Sequence, residues 1–298
     1  MRWPAADVAV DEDLVRALLA EQHPDLAPLA LTEVDAGWDN TLWRLGDALA
    51  VRLPRRESAA TLTANEQRWL PELAPRLPIS VPAPVRVGHP GGRYPWPWSV
   101  VPWFEGEPGD RAAIARPEEE AMRLGRFLRA LHRRAPRGAP HNPFRGVALV
   151  LRSETFEERI TALRPHVDVE AARHTWERGL AAAPWSGPGV WLHGDLHPAN
   201  VVLESGTLSA IIDFGDLCAG DPATDLAGAW LLLPARAIAV LADAYGGMDD
   251  ALGRRARAWA VLFALMLLEI GLEGRPSYAQ VGRSGLARAA MHPRPGGG

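Results

Sequence analysis

The residues dense enough in polar groups to do chemistry lie between His193 and Asp216. They run His193-Gly194-Asp195-Leu196-His197-Pro198-Ala199-Asn200, then an apolar strand and turn, then Ile212-Asp213-Phe214-Gly215-Asp216. A core does not tolerate so many polar side chains without partners, so the stretch reads as a site. A two-residue Ser205-Gly206 turn between the apolar segments closes a hairpin that sets Asn200 opposite Ile211, with Asp213 just beyond it. Asn200 and Asp213 then share one mouth, and Asp195 sits on the loop feeding the first strand. Hard oxygen ligands, few and partly uncharged, suit Mg²⁺ that is also held by substrate phosphates. A further carboxylate standing clear of the metal can accept a hydroxyl proton.

Those three side chains need a scaffold, and the pattern supplies one. Residues 11–22 carry Leu14, Leu18 and Leu19 at helical spacing. Leu29 to Asp35, Thr41 to Leu45 and Ala48 to Leu53 read as short antiparallel strands, 58–74 as a helix, and Pro84 to Gly88 and Trp98 to Phe104 as further strands. Turn residues cluster in Phe104-Glu105-Gly106-Glu107-Pro108-Gly109, which marks the boundary. Beyond it the spacing predicts helices over 117–134, 153–164, 168–182, 223–232, 235–245, 250–272 and 276–290. The strand-loop-hairpin island from Val190 to Asp213 interrupts them. The expected class is α+β, with a small antiparallel-sheet lobe over 1–104 and a larger, mainly helical lobe over 105–298.

Composition removes several kinds of chemistry. The chain has 298 residues, and all 32 basic residues are Arg. Without lysine there is no Schiff base, no pyridoxal-phosphate anchor and no phosphate loop of the G-x-x-x-x-G-K-[ST] type. Cys218 is the only cysteine, which excludes an intrachain disulfide and multi-cysteine metal sites and fits a reducing cytoplasm. A formal charge of −4 gives no reason to expect nucleic acid or an anionic membrane. The opening residues lack the order of a secretory signal, and the apolar run Ala258 to Leu268 is short of the roughly 20 residues that span a bilayer.

The pattern H-G-D-x-x-x-x-N followed by I-x-D-F-G resembles the catalytic and metal loops of the aminoglycoside phosphotransferase family, small-molecule relatives of protein kinases. Gly-Arg-Phe-Leu-Arg-Ala-Leu-His ending at His132, and Gly220-Asp221-Pro222-x-x-Asp225, resemble further family segments, and the likeness runs from about Val34 to Leu233. Gly194 stands where protein kinases carry Arg, a departure typical of the family. The resemblance implies a protein-kinase-like two-lobe fold. It also implies ATP or GTP as co-substrate with Mg²⁺, Asp195 acting on the acceptor hydroxyl, and Asn200 and Asp213 holding the metal. It makes Arg52 and Glu66 the counterpart of the strand Lys and helix Glu that fix nucleotide phosphates. On the helix at 58–74, Glu66 interrupts the apolar stripe of Leu62, Trp69 and Leu73, while Arg52 alternates away from Val51 and Leu53.

Backbone groups from Val101 to Trp103 are expected at the base edge, with Pro102 removing one amide donor. Gly37-Trp38-Asp39-Asn40 lies where a phosphate-covering turn would sit, and reads equally well as a plain hairpin turn. Asp216 either shapes the metal loop or faces substrate. Glu269 and Glu273, one turn apart, would suit a cationic acceptor such as an aminoglycoside. Asp221 and Asp225 are read as structural, a helix cap and a dipole partner, and His132 as a packed or capping residue. Competing readings are a kinase of an amino alcohol or sugar, a catalytically silent nucleotide-binding module, and a metallohydrolase using His193, Asp195 and His197. A protein kinase is disfavoured because Gly220-Asp221-Pro222 arrives where an activation loop would extend.

Overall fold

The computed structural model describes residues 5–290, with Asp35 and Ala36 by backbone alone. Helix α1 (Glu12–Gln22) starts where the Asp11 carboxylate accepts from the Leu14 amide at 2.9 Å, and it buries the leucine face read from the sequence. Strands β1 (Leu31–Ala36), β2 (Asn40–Leu45) and β3 (Leu49–Pro54) form an antiparallel meander, and helix α2 (Glu57–Leu73) follows. Strands β4 (Arg86–Gly88) and β5 (Trp98–Pro102) complete a five-stranded sheet of order β1-β2-β3-β5-β4. Leu14, Leu18, Trp43, Val51, Tyr94 and Trp98 close the core between α1 and this sheet. The second half of α2 turns elsewhere: Trp69, Leu70 and Leu73, with Ile79 and Val81, pack into the larger core. That helix therefore reaches from one lobe into the other, which lets it carry Glu66 to their junction.

The segment at 104–109 is more than a turn. Its strand β6 (Glu107–Pro108) pairs antiparallel with the later strand β8 (Val201–Glu204), placing Glu107 opposite Leu203. Helices α3 (Pro117–Leu131), α4 (Ser153–Ala162) and α5 (Val169–Leu180) follow, each within about three residues of its periodicity. Next come β7 (Val190–Leu192), β8 (Val201–Glu204), β9 (Thr207–Ile211) and β10 (Cys218–Gly220). The chain continues through α6 (Ala223–Leu226), α7 (Gly228–Leu232), α8 (Ala235–Tyr245), α9 (Asp250–Leu272) and α10 (Pro276–Ala289). The single helix expected over 223–232 is thus two short ones, and β10, which pairs with β7, had no signal of its own. No helix among the described residues is long and apolar enough to cross a membrane.

One register differs from expectation. Glu204 opposes Thr207 and Leu203 opposes Leu208, but the pairing shifts between Val202 and Leu203, so that Val201 opposes Ile211. A β-bulge at Ser209 inserts one residue, and its hydroxyl donates to the Val202 carbonyl at 3.2 Å. The Ile212 amide therefore donates to the Asn200 carbonyl at 2.9 Å, and Asn200 faces Ile212 rather than Ile211. The bulge brings Asn200 one residue nearer Asp213.

Candidate active site

The site is assembled on loops that the two small sheets hold in place. Gly194 has φ +88°, and a Cβ there would stand 2.4 Å from the Asp216 carbonyl oxygen, so the loop closes on the 213–216 segment only with glycine. Asp225 ties the loop from below. Its carboxylate is fully buried and accepts from the His193 amide at 2.7 Å and the Gly194 amide at 2.8 Å. The His132 ring lies 3.1 Å away on Nε2 and touches the Tyr245 hydroxyl at 3.0 Å on Nδ1. Burial alone would raise the Asp225 carboxyl, but the His132 contact and the loop amides hold it below the ordinary range. Asp225 is structural, as read, but it orders the loop that carries Asp195 instead of complementing a helix dipole. His132 is the ring that supports it.

His193 is likewise spent inside the loop. Its Nδ1 accepts from the Asp195 amide at 3.2 Å, which leaves Nε2–H to donate to the Ile212 carbonyl at 2.9 Å. With both nitrogens committed, His193 offers no ligand, and no group of three His, Cys, Asp or Glu side chains suited to a metal occurs among the described residues. That geometry speaks against the metallohydrolase reading. Asn200 closes the loop by donating to the Asp195 carbonyl at 2.9 Å. His197 approaches Asp195 Oδ2 to 3.4 Å.

Arg52 spans the lobes. One arm of its guanidinium pairs with Glu66, and the other donates to Asp213 Oδ1 at 2.7 Å. Burial would make Arg52 give up its proton more easily, yet Glu66 and Asp213 outweigh it and hold the charge more firmly than in water. Asp213 itself sits in the left-handed region at φ +61°, which turns its half-exposed carboxylate toward Arg52. Asn200 contributes an amide oxygen and Asp213 a carboxylate, and this donor set fits a Mg²⁺ ion completed by phosphate oxygens.

The expected base edge has a definite polarity. Val101 pairs with Ala50 of β3, and the Trp103 amide donates to the Ala48 carbonyl at 2.8 Å. In an antiparallel ladder alternate residues face opposite ways, so the Pro102 carbonyl points away from β3 while the polar groups of Val101 and the amide of Trp103 do not. The turn at 37–40 is a hairpin turn, in which the Gly37 amide donates to the Asn40 carbonyl at 2.8 Å.

The residue that sequence reasoning missed is Arg145. It is buried, reaches Asp195 Oδ1 at 3.2 Å with one Nη, and brings its Nε to 3.3 Å from Asp216. Asn142 donates to the other Asp216 oxygen at 2.7 Å. Burial would raise the Asp195 carboxyl, but the charges of His197 and Arg145 carry it well below the usual carboxylate range. Asp216 goes the other way: burial and the neighbouring Asp195 push it up despite Arg145. The loop holding Arg145 nests on β10 because both chains carry glycine where they cross; a Cβ on Gly220 would lie 2.4 Å from the Gly146 oxygen. The Phe144-Arg145-Gly146 pattern was the available signal, but no periodicity marks such a loop. Glu269 pairs with Arg159 at 3.3 Å, and Glu273 lies exposed at the end of α9.

Residues 30–259 match the family model described as the phosphotransferase enzyme family, labelled APH. The chain belongs to this phosphotransferase family. Like its members, it is a phosphotransferase, as the sequence resemblance implied. No curated protein matches the sequence. Among solved structures, the GDP and kanamycin complex of APH(2'')-IIIa is 20% identical over 92% of this chain and 97% of its own, with a TM-score of 0.69. The macrolide 2'-phosphotransferase MphH from Brachybacterium faecium is 22% identical over 95% and 99%, with a TM-score of 0.59. ADP-bound APH(2'')-Ib is 14% identical over 94% and 99%, also at 0.59. These likenesses establish the protein-kinase-like two-lobe fold of the phosphotransferase.

Proposed function

We propose that this phosphotransferase moves the γ-phosphoryl group of ATP or GTP to a hydroxyl of an antibiotic-like small molecule, in the cytoplasm and with Mg²⁺, as an aminoglycoside or macrolide phosphotransferase does. The observation that carries the reading is the Arg52 fork joining Glu66 and Asp213 across the lobes, beside an Asp195 whose loop Asn200 closes. Arg52, steadied by Glu66, meets phosphate oxygens, and the Pro102 carbonyl, which points away from β3, meets the base in place of the inward-facing groups of Val101 and Trp103. Asn200 and Asp213 would hold Mg²⁺, which supplies neutralisation of charge on the phosphates. The neighbours' names, with GDP, ADP, kanamycin and macrolide, support the nucleotide and the acceptor class. A role in resistance follows from that class.

In the transfer, the acceptor oxygen bonds to the γ-phosphorus, the bridging P–O bond breaks, the nucleoside diphosphate leaves, and the hydroxyl proton passes to Asp195. A carboxylate held so firmly ionised by Arg145 and His197 is a weak base. Its first task is to orient the hydroxyl, and the proton transfers late, which suits a loose transition state. Nucleoside-diphosphate release with ATP and with GTP, against aminoglycosides, macrolides, amino alcohols and sugars, tests the reading, with Asp195→Ala as the blank. An acceptor-stimulated signal that disappears in Asp195→Ala, while nucleotide binding persists, is the expected result. Undiminished turnover in that variant would sink the mechanism.

A further inference from the structure

Asp195 turns Oδ2 toward His197 and Asn200 and Oδ1 toward Arg145. On the Arg145 side the charges that follow are positive. The Arg145 guanidinium lies 5.0 Å over the Phe263 ring of α9. Six residues further, about 9 Å along that helix, Glu269 receives Arg159 at 3.3 Å. Arg152, midway between the two arginines in sequence, lies 5.2 Å over the Phe144 ring and is only 8% exposed. Phe144 is itself exposed, so Arg152 sits one ring below the surface. Each of the three guanidiniums keeps a buried Nε that makes no hydrogen bond, although the Arg145 Nε lies within ion-pair distance of Asp216.

The three differ in their partners. Arg145 has Asp195 and Asp216, and Arg159 has Glu269, whereas Arg152 has no carboxylate within ion-pair distance among the described residues. Burial and the charges of Arg145 and Arg159 weaken its hold on its proton, but a guanidinium does not deprotonate near neutrality. A buried cation without a counter-ion is costly, and an anionic ligand relieves that cost. Of the carboxylates expected to meet a polycationic acceptor, Asp216 and Glu269 are meanwhile already paired with arginine, and Glu273 lies exposed at the end of α9.

We propose that Arg152, flanked by Arg145 and Arg159, binds a carboxylate or phosphate carried by the acceptor, so that the hydroxyl compound phosphorylated here is an acid and not a polycation. The inference rests on the phosphotransferase reading of Asp195 and replaces its basic acceptors, aminoglycosides and macrolides, with an acidic hydroxyl compound.

Thermal unfolding of the whole chain with MgADP saturating the nucleotide site tests it, using phosphogluconate, glucose and kanamycin as probes. Phosphogluconate should raise the Tm of the wild type by several degrees, while glucose and kanamycin leave it unchanged. Arg152→Met removes a buried charge without leaving a counter-ion unpaired, so it should fold and lose at least half of that shift. Arg152→Lys should recover part of it. An equal shift with kanamycin or glucose, an unchanged phosphogluconate shift in Arg152→Met, or no shift with any probe overturns the proposal. Nucleotide binding is read separately. Its absence would overturn the phosphotransferase reading, whereas kanamycin-stimulated turnover would leave that reading standing and overturn the acidic acceptor.

Discussion

At the scale of single residues, the informative features are charges that lost water and found specific partners. Arg145 touches Asp195 and Asp216 together, so Arg145→Met removes the cation that fixes the Asp195 carboxylate. We expect kcat to fall roughly 100-fold from misplacement of that carboxylate, with the nucleotide KM unchanged, in steady-state kinetics. Asp225 makes a different statement, about stability and pH. Its carboxyl is held below the ordinary carboxylate range by His132 and the loop amides, so the folded chain binds its proton less readily than the unfolded chain does. That contribution is fully present above the unfolded carboxyl value of about 3.9 and is lost as pH falls through the folded one. Asp225→Asn should cost roughly 3 kcal/mol at neutral pH and make the acid-unfolding limb below about pH 4 shallower. Denaturant melts across pH check both. The acidic side chains at 221 and 225 were legible as structural. What Asp225 holds was not, because its partners come from two elements distant from it in sequence, His132 at the end of α3 and His193-Gly194 in the loop after β7.

Among elements, the loop after β7 depends on backbone that only one residue type permits. A Cβ at 194 would meet the Asp216 oxygen in a left-handed conformation, so Gly194→Ala should destabilise by roughly 2 kcal/mol and reduce turnover. Circular dichroism melts alongside nucleoside-diphosphate release separate the two effects. The helices were legible to within a few residues because apolar spacing is a local signal. The hairpin register was not: Ser205-Gly206 marks the turn, but the bulge at Ser209 arises from packing that no dipeptide encodes. Strand β10 escaped for a related reason, since it is three residues long and exists as a strand only where β7 pairs with it.

The molecule as a whole is two cores joined by α2 and by the Arg52 fork, which binds Glu66 from one lobe and Asp213 from the other. A ligand that engages both sides of that junction should stabilise the whole chain. MgADP at about 100 times its Kd adds about 2.7 kcal/mol, a rise of roughly 5–10 °C in Tm. Arg52→Ala should lose most of that rise, measured by differential scanning calorimetry. An unchanged rise would assign Arg52 to a structural ion pair alone.

The sequence by itself determined the class of fold, most of its elements and the short stretch that holds the expected site residues Asp195, Asn200 and Asp213. Those rest on local periodicity, on turn residues and on the spacing of polar groups within one short stretch. Only the tertiary structure decided where the charges balance. Arg145 and Asn142 reach the site from a loop without periodicity, Asp225 ties down the Asp195 loop from another helix, and Arg159 takes up Glu269, which with Glu273 reads in the sequence as suited to a cation. Electrostatic partners are chosen by distance in space after burial has removed water, and sequence spacing carries no measure of that distance.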